Sequence, residues 1–109
     1  MSIEEASAEM ADKARKRVER ELNDLRFVLS YPEGRRVMWK ILSEAGVFRG
    51  SWTGVASSTD HNEGKRYIGL GILETVMKAR PEAFLQMMND SESERIKDEA
   101  EMKKAEEAQ

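Results

Sequence analysis

The chain has 109 residues, no cysteine, a single histidine and a formal net charge of −3. This length supports one modest hydrophobic core. The lack of cysteine excludes a disulfide framework, thiolate metal sites and a cysteine nucleophile, and one histidine excludes zinc sites built on paired histidines. No stretch reaches the roughly eighteen apolar residues of a membrane-spanning helix, and the acidic N-terminus has the wrong charge for a signal peptide, so we expect a soluble, cytosolic protein.

Residues 2–29 are predicted to form one long helix. Large apolar residues recur on one helical face, at Ile3, Met10, Val18, Leu22, Leu25 and Leu29. The first five turns carry few of them, and we expect this part to be stable only against another helix or a second subunit. Glu9 with Lys13, and Asp12 with Lys16, have the i,i+4 spacing of helical ion pairs.

Proline and glycine mark the second predicted helix. Pro32 fits a first helical turn, and Gly46 is predicted to be a left-handed cap that lets Val47 and Phe48 fold back on the core. The apolar residues of this segment predict the buried face of the helix as Val37, Met38, Ile41 and Leu42. Trp39 lies beside that face, and we expect it in the core.

Residues 49–62 are predicted to form one long irregular loop, because they contain two glycines and five hydroxyl residues. The third helix is predicted to open at Asp60 or Asn62, since Asp60 and Glu63 have capping-box spacing. Its predicted apolar face is Tyr67, Ile68, Ile72, Val76 and Met77. Gly69 and Gly71 within it indicate a close helix–helix crossing.

Pro81 begins a short fourth predicted helix, which residues 89–91 can end. The predicted fold class is therefore all-α: a small helical bundle with a long N-terminal helix, one long irregular loop and a polar C-terminal arm that is helical or disordered. Of 32 large apolar residues, 26 lie between Leu22 and Met88. We therefore predict a polar N-terminal helical arm at 1–21, a helical core domain at 22–90 and a charged C-terminal arm at 91–109.

The sequence contains few residues in arrangements that are typical of catalytic sites. His61 lies in a polar segment next to a predicted cap, where a solvent-facing role is the ordinary one. Gly69-Leu70-Gly71 falls inside a helix and lacks the third glycine of a dinucleotide fingerprint. The acidic residues lack calcium-loop spacing. We predict a protein that is not an enzyme, with no catalytic, cofactor or metal site.

Candidate partner-binding residues are cations and exposed apolar side chains. We predict an interaction surface from Met10, Val18, Arg35, Arg36, Lys40, Arg49, Trp52, Lys65 and Arg66. Its basic residues and Trp52 also allow nucleic-acid binding, but a pI of about 5.3 disfavours a dedicated binder. Trp52 is either a plug that folds back or a contact anchor.

Several blocks of the central segment resemble a known protein family. They are Arg26-Phe27-Val28-Leu29-Ser30, Pro32-Glu33-Gly34-Arg35-Arg36-Val37 with Trp39, Gly46-Val47-Phe48-Arg49, Thr53-Gly54, Glu63-Gly64-Lys65-Arg66, Gly69-Leu70, and Pro81-Glu82-Ala83 with Met87. The sequence over about residues 22–90 resembles small phage proteins encoded in the virion-assembly gene block of tailed, mostly short-tailed, phages, near the portal and capsid genes. Both arms lie outside the resemblance.

The resemblance implies association with phage particles or their assembly, and it implies no catalytic activity. The first hypothesis is a virion-associated protein that docks by helices on portal, capsid or tail proteins, as a minor structural, internal or ejection-associated component. The alternatives are a scaffold-like helper absent from the mature particle and a DNA-contacting packaging or ejection accessory. Under all three, the protein resides in the host cytoplasm during assembly and, unless it is a scaffold, in the virion. A homo-oligomer is compatible with each.

Overall fold

A computed structural model describes residues 1–49 and 55–108, without the side chains of Ala56 and Ser57. It contains four helices in these ranges: α1 (Ile3–Leu29), α2 (Pro32–Glu44), α3 (Ala56–Ala79) and α4 (Pro81–Glu107). No strand occurs among the described residues. The predicted all-α class is confirmed.

The ends of α1 and α2 follow directly from local sequence. Ser2 caps α1, since its Oγ accepts the Glu5 N–H at 3.1 Å while the Glu5 carboxylate accepts the Ser2 N–H. Pro32 opens α2 as predicted. Gly46 ends it with a φ of +79°, and the Val47 N–H then donates to the Leu42 carbonyl at 3.2 Å. This geometry is a Schellman cap, which returns Val47 to the core.

The core is small and is formed by short segments of all four helices. Its buried members are Leu29, Leu42, Val47, Val76, Ala79, Ala83 and Met87. Trp39 packs against this cluster as predicted, and its ring stacks on Phe48 with centroids 4.6 Å apart. The Arg26 Nε donates to the Ala79 carbonyl at 2.7 Å, which ties α1 to the end of α3.

Two predictions about the helices are wrong. The third helix begins at Ala56, so residues 56–62 are helical and His61 is an exposed residue of α3, not of a loop. The fourth helix continues through residues 89–91 to Glu107, because Asn89-Asp90-Ser91 supply no glycine or proline to interrupt a helix. The predicted C-terminal arm is therefore helical where it is described.

The buried faces of α2 and α3 also differ from prediction. Val37 and Ile41 are exposed, whereas Met38 and Leu42 pack inward. On α3, Tyr67 and Ile68 point outward, and the face toward the core consists of Gly69, Ile72, Leu73, Val76 and Ala79. Small residues on that face let α3 approach its neighbours closely, which the count of large apolar residues did not reveal.

Gly69 lies at the predicted close crossing, whereas Gly71 does not. A Cβ on Gly69 would lie 2.6 Å from both Ala45 Cβ and Val47 Cγ2, but a Cβ on Gly71 would meet nothing within 4 Å among the described residues. We expect Gly69→Ala to lower the free energy of unfolding by about 1–3 kcal/mol through overpacking. Gly71→Ala, its matched control, should raise it by about 0.5–1 kcal/mol. Urea denaturation followed by circular dichroism measures both, and equal effects would contradict the crossing.

The two long helices extend beyond the core. Of the two predicted ion pairs, Asp12–Lys16 forms at 3.0 Å, whereas Glu9–Lys13 does not form among the described residues. On α4, Arg95 bridges Glu92 and Glu99, and its hydrogen bond lowers the pKa of the Glu92 carboxyl. The boundaries at residues 21 and 90 remain predictions, since α1 and α4 each cross them without a break.

The described residues span 78 × 39 × 16 Å, with a radius of gyration of 20.0 Å. A compact chain of this length has a radius of about 13 Å. The protein therefore presents much of its helical surface to the outside.

Candidate protein-interaction surface

Exposed apolar side chains gather where α1 ends and α2 begins. The rings of Phe27 and Tyr31 meet edge to face, with centroids 5.2 Å apart. Val28 lies against Gly34, since a Cβ on that glycine would come within 2.9 Å of Val28 Cγ1. Continuing along α2 from Gly34, the next turns of the same face carry Val37 and Ile41.

We call this set the α1–α2 surface; its members are Phe27, Val28, Tyr31, Val37 and Ile41. Each is between 40% and 65% exposed. Single exposed apolar residues are ordinary on proteins, but adjoining ones that include two aromatic rings are typical of protein-binding sites. This surface can bind an apolar partner.

The six predicted central cations do not form one free basic patch. Arg35 is only 16% exposed at its side chain, donates to the Leu29 carbonyl at 3.0 Å and lies 3.7 Å from the Asp90 carboxylate. Lys40 pairs with Glu44 at 3.9 Å, and the Arg49 guanidinium donates to the Ser43 carbonyl at 3.3 Å.

The other three cations differ in exposure. Arg36 and Lys65 are exposed and form no ion pair among the residues that the structure describes. Arg66 is half-buried, and its Nε has no hydrogen-bond partner within residues 1–49 and 55–108. Much of the predicted positive charge is therefore engaged within the protein.

Arg35 and Arg36 do share one feature, a cleft between α2 and α4. It is lined by Arg35, Arg36, Trp39, Met87, Asp90, Ser91 and Glu94. Its volume of about 80 Å³ is well below the 300–1,000 Å³ typical of small-molecule sites. The carboxylates of Asp90 and Glu94 oppose its two guanidinium groups, so the cleft balances charge internally.

The remaining predicted contact residues lie elsewhere. Met10 and Val18 are 72% and 54% exposed on α1, about four turns and two turns before Leu25, which packs against the core. Trp52 lies outside the described residues.

Sequence reasoning missed the α1–α2 surface, because it assigned Val37 and Ile41 to the core. The spacing of α2 left the buried face open, because apolar residues lie on more than one side of this helix. Arg35, Met38 and Leu42 lie on one face of that helix, and Val37 lies well over a quarter turn away from it.

Two further properties concern the described residues as a group. None of their helices combines the length and apolarity needed to cross a bilayer. No group of three or more histidine or acidic side chains in residues 1–49 and 55–108 is arranged to hold a metal ion.

The described residues thus form an all-α fold with a small core, long exposed helices and an apolar surface. Residues 25–89 match the family model of the Bbp19-like phage proteins, and this match covers more than half of the chain. The chain therefore belongs to the Bbp19-like phage protein family, which confirms the resemblance to phage proteins. Neither the curated proteins nor the solved structures contain a match.

Proposed function

We propose that this phage protein is a non-enzymatic component of virion assembly that docks by its helices on a head or tail protein and stays in the particle. The observation that carries the proposal is the α1–α2 surface. All five of its residues lie within residues 25–89, the part shared with the family. The proposed docking role therefore concerns the part of the chain that the family match covers.

The energetics favour an occupied surface. Each side chain of this size contributes about 1.5–3 kcal/mol when it passes from full exposure to full burial. Aromatic residues such as Phe27 and Tyr31 are also enriched among the residues that dominate binding energy. Portal, capsid and tail proteins are the partners implied by the proposed gene setting in a short-tailed phage.

The basic residues favour a protein partner over DNA. Affinity for DNA depends largely on free cations that reach phosphates. Arg35, Lys40 and Arg49 already have partners within the chain. A DNA-contacting role would instead predict salt-dependent affinity that is lost when Arg35, Arg36, Lys65 and Arg66 become alanine.

The test is incorporation into particles. A phage that lacks the gene is complemented with wild-type protein, with Val37→Asp or with Leu85→Asp. Leu85 is also exposed and lies within the family match, but on α4, so it is the matched control. We expect wild type and Leu85→Asp in purified virions at a fixed ratio to portal, measured by quantitative mass spectrometry, and loss of Val37→Asp.

Other outcomes decide against the proposal. Protein found in empty procapsids but not in filled heads would make it a scaffold-like helper. If the protein is absent from both empty procapsids and filled heads, it has no structural role in the particle. Circular dichroism of each purified variant must match wild type, so that loss of incorporation reports loss of docking.

A further inference from the structure

We propose that the first part of α1, residues 3–21, binds the same segment of a second copy of the chain in the antiparallel orientation. This inference goes beyond the proposed function and concerns a surface outside the family match. It begins from the apolar stripe of α1, which is buried at Leu29 and continues uncovered to Ile3, Met10 and Val18. A stripe that helps to form the core thus runs on for several turns without a covering helix.

The charges of this segment divide into two halves of opposite sign. Residues 2–12 contain four acidic and no basic side chains, whereas residues 13–20 contain five basic and one acidic. An antiparallel pair centred on residue 12 places each acidic half beside the basic half of the other copy. A parallel pair would place like charges together, which is destabilising.

The sizes of the apolar side chains fit the same register. With residue 12 at the centre, Ala6 lies opposite Val18 and Met10 lies opposite Ala14. Each large side chain therefore meets a small one, which lets two helices approach closely. The contact is self-complementary, as a two-fold symmetric interface must be.

Many charged side chains of this segment are available for such a contact. Glu4, Glu9, Arg17 and Arg20 form no ion pair among the described residues, and all four are exposed. Glu4 would lie at the same level along the pair as Arg20 of the second copy. Asp12 pairs with Arg15 and Lys16 of its own helix, at the centre of the pairing.

The first measurement is the mass of the full chain by light scattering after size-exclusion chromatography. We expect the mass to rise from 12.5 kDa toward twice that value as concentration increases. High salt should reduce the association, since it screens exposed charges. A monomer at every concentration up to about 1 mM would overturn the proposal.

Charge reversal tests the orientation. Glu4→Lys with Glu9→Lys makes the segment mostly basic, and Arg17→Glu with Arg20→Glu makes it mostly acidic. We expect each double variant to be monomeric alone, with at least a tenfold weaker association, and the mixture of the two to form a heterodimer. Failure of the mixture to associate, with helicity retained by circular dichroism, would overturn the charge pairing.

The control for net charge lies on α4. Glu94→Lys with Glu101→Lys changes the net charge as much as the first variant but leaves α1 intact. This control should associate like wild type. If this control variant loses the dimer while the α1 variants keep it, the contact is formed by α4 and the proposal fails.

Cysteine cross-linking measures the register directly, because the chain has no cysteine of its own. In the proposed pair, residue 3 lies opposite residue 21, while the two copies of residue 3 are about 27 Å apart at 1.5 Å per residue. We expect a mixture of Ile3→Cys and Glu21→Cys chains to form a disulfide-linked dimer on oxidation. Efficient linkage of Ile3→Cys to itself would indicate parallel helices and overturn the proposal.

Discussion

Leu42→Ala should lower the free energy of unfolding by about 2–5 kcal/mol, the usual range for emptying a buried leucine site. Leu42 is fully buried, and its carbonyl also accepts the Val47 N–H that closes the α2 cap. The free energy of unfolding of a native domain is about 5–15 kcal/mol in total. Because this core has few members, the loss will leave a large fraction of the protein unfolded near body temperature. Urea denaturation monitored by circular dichroism gives the value.

The preceding residue is the matched control for this prediction. Ile41 lies on the α1–α2 surface, and Ile41→Ala should change stability by about 0.5 kcal/mol or less, as at other surface positions. Because both residues lie in the same turn of α2, both substitutions have a similar effect on helix propensity. The difference between the two variants therefore measures the effect of burial on the free energy of unfolding. If Ile41→Ala costs as much as Leu42→Ala, the α1–α2 surface is part of the core and is not available for docking.

Gly34→Ala should destabilise the protein by about 1–3 kcal/mol or more, despite alanine's better helix propensity. A Cβ at this position would lie 1.9 Å from the carbonyl oxygen of Val28 and 2.8 Å from its carbonyl carbon. These are backbone atoms, so no side-chain rotation relieves the clash. The end of α1 and the start of α2 would have to separate.

Gly64→Ala is the control for that substitution. A Cβ on Gly64 meets nothing within 4 Å among the described residues, and this position lies inside α3. We expect it to raise stability by about 0.5–1 kcal/mol. A thermal melt of the two variants should show opposite shifts of Tm. A neutral Gly34→Ala would show that α1 and α2 are not held this closely.

The Gly34 contact also bears on the proposed docking. It holds Val28, at the end of α1, against Gly34 in the first turn of α2, which joins the parts of the surface that the two helices contribute. Gly34→Ala should therefore weaken particle incorporation even where some folded protein remains. The dimer through residues 3–21 should survive in that variant, which separates the two proposals experimentally.

Local sequence determined the fold class and both ends of α2, but not the start of α3 or the end of α4. The Pro32 start and the Gly46 cap depend on the fixed φ of proline and the positive φ open to glycine, both properties of single residues. The apolar stripe of α1 was likewise predictable, because one 3.6-residue period extends through the whole helix. The family resemblance, carried by blocks between residues 26 and 87, was confirmed at the level of a phage protein family.

Only the tertiary structure decided which face of α2 and of α3 is buried. Both helices carry apolar residues on more than one face, so periodicity left the choice open. On α3 the decision followed from size: Gly69 lets the helix reach Ala45 and Val47, and Tyr67, which is 80% exposed, stays on the outside. The position of the α1–α2 surface depends on that packing, because an apolar side chain becomes a binding surface only when the core is formed by others.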